Sequence, residues 1–202
     1  MYLTQLNLKR LDRSVIKKLA DIYWLHQTVM KGFTAYSETE RVLYRVEPEE
    51  RNGLVSILVQ SPQAPDWRQI MEENRGVVSA RVKEFSPAFQ AGQHFTFRLR
   101  ANPTVTRDRK RRGLIRDDSL LEWLEKKQER LGVRFCGMDS IDEGYINGSK
   151  INGDKSHRLS LKTARFEGLL EVIDAAAFAA AFQTGIGPAK AFGCGLLSLA
   201  RV

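Results

Sequence analysis

Cysteine and histidine are scarce in this chain: its 202 residues hold two cysteines, Cys136 and Cys194, and three histidines, His26, His94 and His157. Two isolated cysteines make neither a disulfide framework nor a zinc site, so both are expected as core thiols in a reducing compartment. No carboxylate cluster suited to magnesium and no His-Glu-x-x-His pattern occurs, so no metal is expected. No apolar run approaches the ~20 residues that a bilayer-crossing helix needs, which argues against a membrane partner. The opening Met1-Tyr-Leu-Thr-Gln-Leu-Asn-Leu8 begins with strand-like residues and shows no leader pattern, so a cytoplasmic location is expected. At 43% hydrophobic and 28% charged residues, the composition is that of a globular chain.

Negative charge is also in short supply where it matters. The formal net charge is +8, and between Arg98 and Arg116 eight cations face Asp108 alone. A second stretch sets Lys150, Lys155, Arg158, Lys162 and Arg165 against Asp154. One such stretch is most simply a solvated loop. Two in a small chain point to a polyanion, because each phosphate neutralised releases counterions.

Glycine, by contrast, is concentrated near the end, in Gly185-Ile-Gly-Pro-Ala-Lys-Ala-Phe-Gly-Cys-Gly195. A nucleotide-binding glycine loop follows a strand and opens a helix, whose N-terminus holds phosphate. Here an alanine-rich helix, Ala175 to Phe182, precedes the loop and the strand-like Leu196-Leu-Ser-Leu199 follows it, so no small-molecule cofactor is expected. Gly185 is placed as a left-handed helix cap. Gly187 offers a close backbone approach to a sugar–phosphate chain, with Lys190 beside it. A tight packed connection is the alternative.

The periodicity spells an order of elements. A strand at Tyr2 to Leu8 leads to a helix from Asp12 to Met30, with Val15, Leu19, Ile22, Leu25 and Val29 on one face and Gly32 as its stop. Strands at Arg41 to Glu47 and Leu54 to Gln60 flank a turn at Pro48 to Gly53. A short helix from Pro65 to about Met71, a loop through Ser86-Pro87 and a strand at Gln93 to Ala101 follow. This βαββαβ order is that of a ferredoxin-like domain, the scaffold of RNA-recognition (RRM-like) modules. It repeats, with a helix capped within Asp117 to Ser119 and running to Leu131, strands at Val133 to Ser140 and Arg158 to Ile173, a helix capped by Asp174, and the final strand. The expected fold is α+β, two tandem ferredoxin-like domains with antiparallel sheets: 1–101, a basic linker at 102–116, and 117–202. The strand ending at Ala101 serves one sheet or both, and its alternation turns Arg98 and Arg100 toward solvent or ligand.

His26 lies three residues after Tyr23 on the first helix and so on the same face, with Lys31 at the helix end. A lone helical histidine is commonly a half-buried polar residue. Beside RNA it acquires a chemical meaning, because cleavage by a neighbouring 2′-hydroxyl needs a proton acceptor, a proton donor and a cation at the phosphate. Tyr23 would orient an oxygen and Lys31 would offset developing charge. The second proton-transfer group is left open between Tyr23, Lys31 and water. His94 is expected to be structural, and His157 to sit in the second basic hairpin, against RNA or in a solvent-exposed turn.

Met1-Tyr-Leu-Thr4, Tyr23-x-x-His26, Phe97-Arg-Leu-Arg-Ala-Asn-Pro103, Phe166-Glu-Gly168 and the 185–198 glycine segment together resemble the CasE-type CRISPR repeat endoribonucleases of Cascade over the whole chain. The resemblance implies cutting of precursor CRISPR RNA at the 3′ base of a repeat hairpin, retention of the product, and assembly with other Cascade subunits. It also implies a catalytic role at His26, assisted at Tyr23. Charge reversal at Arg158 and Lys162 in a hairpin lying on the RNA stem is expected to weaken binding, with Lys155 and His157 beside them. Arg107, Arg111 and Arg112 are expected to grip flanking single strand. A non-catalytic RNA-binding subunit is the alternative. A DNA-binding regulator has no helix-turn-helix or zinc-finger spacing in its favour.

Overall fold

The computed structural model describes residues 1–9, 18–33, 41–47, 53–73, 76–152 and 155–202, with the side chains of 150–152 and 155–157 excepted. The start of the expected first helix, including Val15, most of the Pro48–Gly53 turn, and the side chains of Lys155 and His157 therefore lie outside the described residues. By contacts the chain forms two compact units: one of 1–86, 146–160 and 191–193, the other of 87–145, 161–190 and 194–202.

The first unit carries β1 (Tyr2–Lys9), α1 (Ile22–Met30), β2 (Leu43–Val46), β3 (Leu54–Ser61), α2 (Arg68–Glu73) and β4 (Val77–Glu84). Its sheet has the order β2-β3-β1-β4, all neighbours antiparallel. That is the ferredoxin-like order, in which each βαβ half interleaves with the other. One face of the sheet buries Leu6, Leu8, Ile57 and Val59 against Leu25 and Val29 of α1 and Ile70 of α2. Each such apolar side chain stabilises the fold by about 1.5–3 kcal/mol.

The second unit uses β5 (His94–Ala101), α3 (Asp117–Glu125), α4 (Gln128–Leu131), β8 (Val133–Asn152), β9 (Lys155–Val172), α5 (Ala175–Thr184) and β10 (Leu197–Arg201). Its sheet order, β10-β5-β9-β8, is the same interleaving. Phe95, Phe97 and Leu99 of β5 are buried as the alternation predicts, with Phe166, Leu170, Leu124 and Phe178. Asp174 caps α5, accepting from the Ala176 and Ala177 amides at 2.9 and 3.0 Å. The β8–β9 hairpin is long enough that its far end, residues 146–160, belongs to the first unit.

Several expectations are corrected. The 93–101 strand pairs with β9 and β10, not with the first sheet, which β4 closes instead. The first unit's opening segment accordingly ends at Ser86 rather than at 101. The 102–116 stretch is no open linker: β6 (Thr104–Arg107) and β7 (Lys110–Gly113) form a hairpin within the second unit. The first helix does not run unbroken to Met30, because Asp21 caps a new helix with its carboxylate on the Tyr23 and Trp24 amides. The helix expected over 120–131 is two, Asp117–Glu125 and Gln128–Leu131, and Asp117 to Ser119 lie inside the first, whose N-cap position is Arg116 with no side-chain cap. Gly185 has a positive φ but an extended ψ of 163°, so it is not a left-handed cap. Cys194 is buried as expected, whereas Cys136 is exposed.

Candidate active site and nucleic-acid surfaces

The N-cap at Asp21 sets the rotation of α1. Ile22, Leu25, Thr28 and Val29 face the core, which leaves Tyr23, His26 and Gln27 on the outer side. At the other end the chain turns at Gly32, where any Cβ would strike the Trp67 ring, and the Gly32 carbonyl accepts the Asp66 amide at 2.9 Å. The end of α1 is thereby pinned to the start of α2. This brings Lys31 to Glu73, with Nζ 2.5 Å from the carboxylate. Gln69 donates to the same carboxylate at 2.7 Å. Together Tyr23, His26, Gln27, Lys31, Glu73 and Phe192 line an open cleft of about 840 Å³.

Phe192 reaches this cleft from the glycine segment, of which residues 191–193 belong to the first unit. The Tyr44 hydroxyl donates to the Ala191 carbonyl at 2.9 Å, and Gly193, at φ 79°, passes close to the Tyr44 ring, where a Cβ would meet the ring at 3.3 Å. So anchored, the Phe192 ring stands 5.8 Å from the His26 ring, centroid to centroid. His26 Nδ1 is buried and, among the described residues, has no hydrogen-bond partner of good geometry. Burial pushes the His26 pKa below its ordinary 6.5, and the nearby Ala191 backbone opposes this more weakly. The imidazole is therefore neutral at pH 7 and able to accept a proton. Lys31 hydrogen bonding, with help from Gln69, holds the Glu73 carboxyl below the usual range. An exposed pair of this kind contributes little to stability, so a phosphate can compete for the lysine.

The expected RNA-contact residues divide. Arg107, Arg111 and Arg112 stand exposed on the β6–β7 hairpin, where Arg107 faces Lys110 directly across the strands. Like charges in that register destabilise a hairpin unless an anion lies over them. Arg158 is exposed beside a groove of about 660 Å³ that also touches Asp21, Asn147 and Gly148. Gly187 and Lys190 line a groove of about 450 Å³ with Lys127 and Arg130, two cations the sequence reading missed. Arg98 and Arg100 instead meet carboxylates, at 2.7 Å from Glu167 and 2.5 Å from Glu143. Lys162 is buried instead. Its side chain is only 7% exposed, its Nζ lies 2.6 Å from Asp142 and 5.1 Å from the centre of the Tyr145 ring, and its charge is spent inside the second unit. Phe192 and Glu73 were also missed. Phe192 was visible only as part of a glycine loop, and nothing in its spacing tied that loop to the first helix.

No helix among the described residues is long and apolar enough to cross a membrane. The CRISPR associated protein family matches residues 1–201. The CRISPR-associated endoribonuclease Cse3 of Thermus thermophilus is 34% identical and covers 99% of this chain and 100% of its own. The Cascade subunit CasE of Escherichia coli K12 is 33% identical over 89% of this chain and 92% of its own. Among solved structures, Thermus thermophilus Cse3 bound to an RNA representing a pre-cleavage complex superposes with a TM-score of 0.82 at 32% identity, covering 98% of each chain. Cas6e from Escherichia coli K-12 gives 0.72 at 30% identity, with both chains fully covered. With a ferredoxin-like strand order in each of its two four-stranded sheets and a histidine cleft on α1, the chain belongs to the CRISPR associated protein family, among the CasE-type endoribonucleases.

Proposed function

We propose that this protein cuts CRISPR precursor RNA in the cytoplasm, at the 3′ base of a repeat hairpin, by attack of the RNA's own 2′-hydroxyl and without a metal ion. The observation that carries the reading is the His26 imidazole, its pKa lowered by burial and its ring lining a cleft shared with Tyr23 and Lys31. His26 takes the 2′-hydroxyl proton as the 2′-oxygen bonds to phosphorus. Lys31 exchanges Glu73 for the phosphate and offsets the charge that grows on its oxygens. The bond from phosphorus to the 5′-oxygen breaks, and that oxygen draws a proton from the Tyr23 hydroxyl, which solvent restores. The products are a 2′,3′-cyclic phosphate and a 5′-hydroxyl.

Arg107, Arg111, Arg112 and Arg158, together with the groove at Gly187 and Lys190, supply the cationic surface for stem and flanking strand. An A-form stem hides its base edges in a deep, narrow groove, so contacts to phosphate and shape carry much of the recognition. The retained product then joins the other Cascade subunits.

The test is incubation of the purified protein with a repeat hairpin in EDTA, alongside a substrate with a single 2′-deoxy at the cut site and an H26A protein. Cutting in the first case and bound, intact RNA in the other two is the expected pattern. Cutting of the deoxy substrate would exclude 2′-hydroxyl attack. RNA that binds wild-type protein and is never cut would leave a non-catalytic binding subunit.

A further inference from the structure

Three adjacent strands of the second sheet each turn one metal-ligating side chain to its open face: His94 on β5, Glu171 on β9 and Cys136 on β8. His94 and Glu171 are directly opposite in the β5–β9 register. Cys136 alternates with Val133 and Phe135 along β8, and Phe135 packs on the Phe97 ring beneath the sheet, which sends the thiol the other way. One ligand atom from each of the three residues lies within 4.8 Å of the other two. Bonds of about 2.0 Å to nitrogen and oxygen and about 2.3 Å to sulfur close such a set around one ion with small side-chain rotations.

The surroundings of His94 already have the form that metal-bound imidazoles use. Its Nδ1 lies 3.0 Å from the Gly92 carbonyl, which can only accept, so Nδ1 carries the proton and the Nε2 lone pair remains to bind an ion. The Gly92 turn is itself tied to β9: the Gly92 amide donates to the Val172 carbonyl at 2.8 Å and the Val172 amide to the Gln93 carbonyl at 2.9 Å. Among the described residues Glu171 is held from one side, with Arg134 Nη2 at 3.3 Å from Oε2, which leaves Oε1 to bond an ion. Among the described residues the Cys136 thiol makes only a long contact, donating to the Arg134 carbonyl at 3.9 Å.

We propose that His94, Cys136 and Glu171 form a surface site for a borderline-soft divalent cation, zinc foremost, with water in the fourth position. The nitrogen, sulfur and oxygen donor set selects against magnesium and calcium, which take oxygen ligands. Bridging three strands, the ion would staple the end of the second sheet through residues distinct from those assigned to cutting, and the inference stands whether or not the nuclease reading does.

The experiment is cobalt titration of tag-free, chelator-stripped protein followed by absorbance. Wild-type protein is expected to develop a sulfur-to-cobalt charge-transfer band and strong visible bands at one equivalent, both displaced by zinc. C136S is expected to lose the charge-transfer band, and H94Q the intensity of the visible bands. C194A, which removes the buried thiol, retains both. Zinc is expected to raise the melting temperature of wild-type protein and not of C136S, while apo C136S melts cooperatively with the far-UV circular dichroism of wild type, which shows that it is folded. No charge-transfer band in wild type under excess cobalt, or an undiminished band in C136S, overturns the site.

Discussion

Lys162 separates a binding surface from a packing device, and K162M decides between them. Methionine keeps the stem's volume under Gly113, where a Cβ would already strike Lys162 Cγ at 2.9 Å, but removes the ammonium from Asp142. Breaking a fully buried pair costs about 3–5 kcal/mol. The Asp142 side chain is 30% exposed, so water recovers part of its solvation and the expected loss is about 2 kcal/mol. In a protein of this length that lowers the melting temperature by about 4–8 °C. The pH dependence follows from Asp142, whose carboxyl is held below its ordinary 3.8, first by the Lys162 hydrogen bond. A depressed carboxyl contributes stability that is complete above the unfolded value and lost as pH falls through the folded one, so the gap between K162M and wild type should narrow in acid. Calorimetry at neutral and acid pH measures this. RNA affinity measured against salt gives the second half of the test. K162M should leave the slope of log affinity on log salt unchanged, whereas R158A should reduce it by about 0.7–0.9, one phosphate's worth. An unaltered melting temperature in K162M, or a slope lowered like that of R158A, refutes the packing role.

Three further outcomes are expected. The cleavage rate should fall on the acid side with an apparent pKa below 6.5, since protonation of His26 removes the base; a limb at or above 6.5 in a pH–rate profile contradicts the burial argument. F192A should expose the imidazole edge and move that limb up toward 6.5 in the same profile. G148A should place a Cβ within 2.9 Å of Asp21 Oδ1 and 3.0 Å of the Tyr23 amide, disturbing the α1 cap at a cost of about 1 kcal/mol and slowing single-turnover cutting more than it weakens RNA binding.

The sequence made the first described helix, its histidine and its tyrosine readable because they depend on local spacing alone. β4 escaped because only Val77 of its eight residues is fully buried: an edge strand such as Val77–Glu84 bears exposed charges and lacks the alternation that betrays a half-buried strand. β5 was legible as a strand but not in its allegiance, since pairing with β9 and β10 is a non-local choice that chain order does not encode. Period-two reasoning could have found Lys162, which shares its parity along β9 with the buried Ala164 and Phe166, and the same reasoning would have turned Cys136 outward from Phe135. Basic composition by itself could not tell Arg98 and Arg100, matched by Glu167 and Glu143, from the unmatched look of the β6–β7 run.

The aromatic wall beside His26 comes from residue 192, synthesised long after the helix it serves. The helix by itself holds the imidazole without the ring that covers it. The surroundings of that imidazole are therefore set by a contact distant in sequence, which forms with the fold as a whole and not with the helix alone.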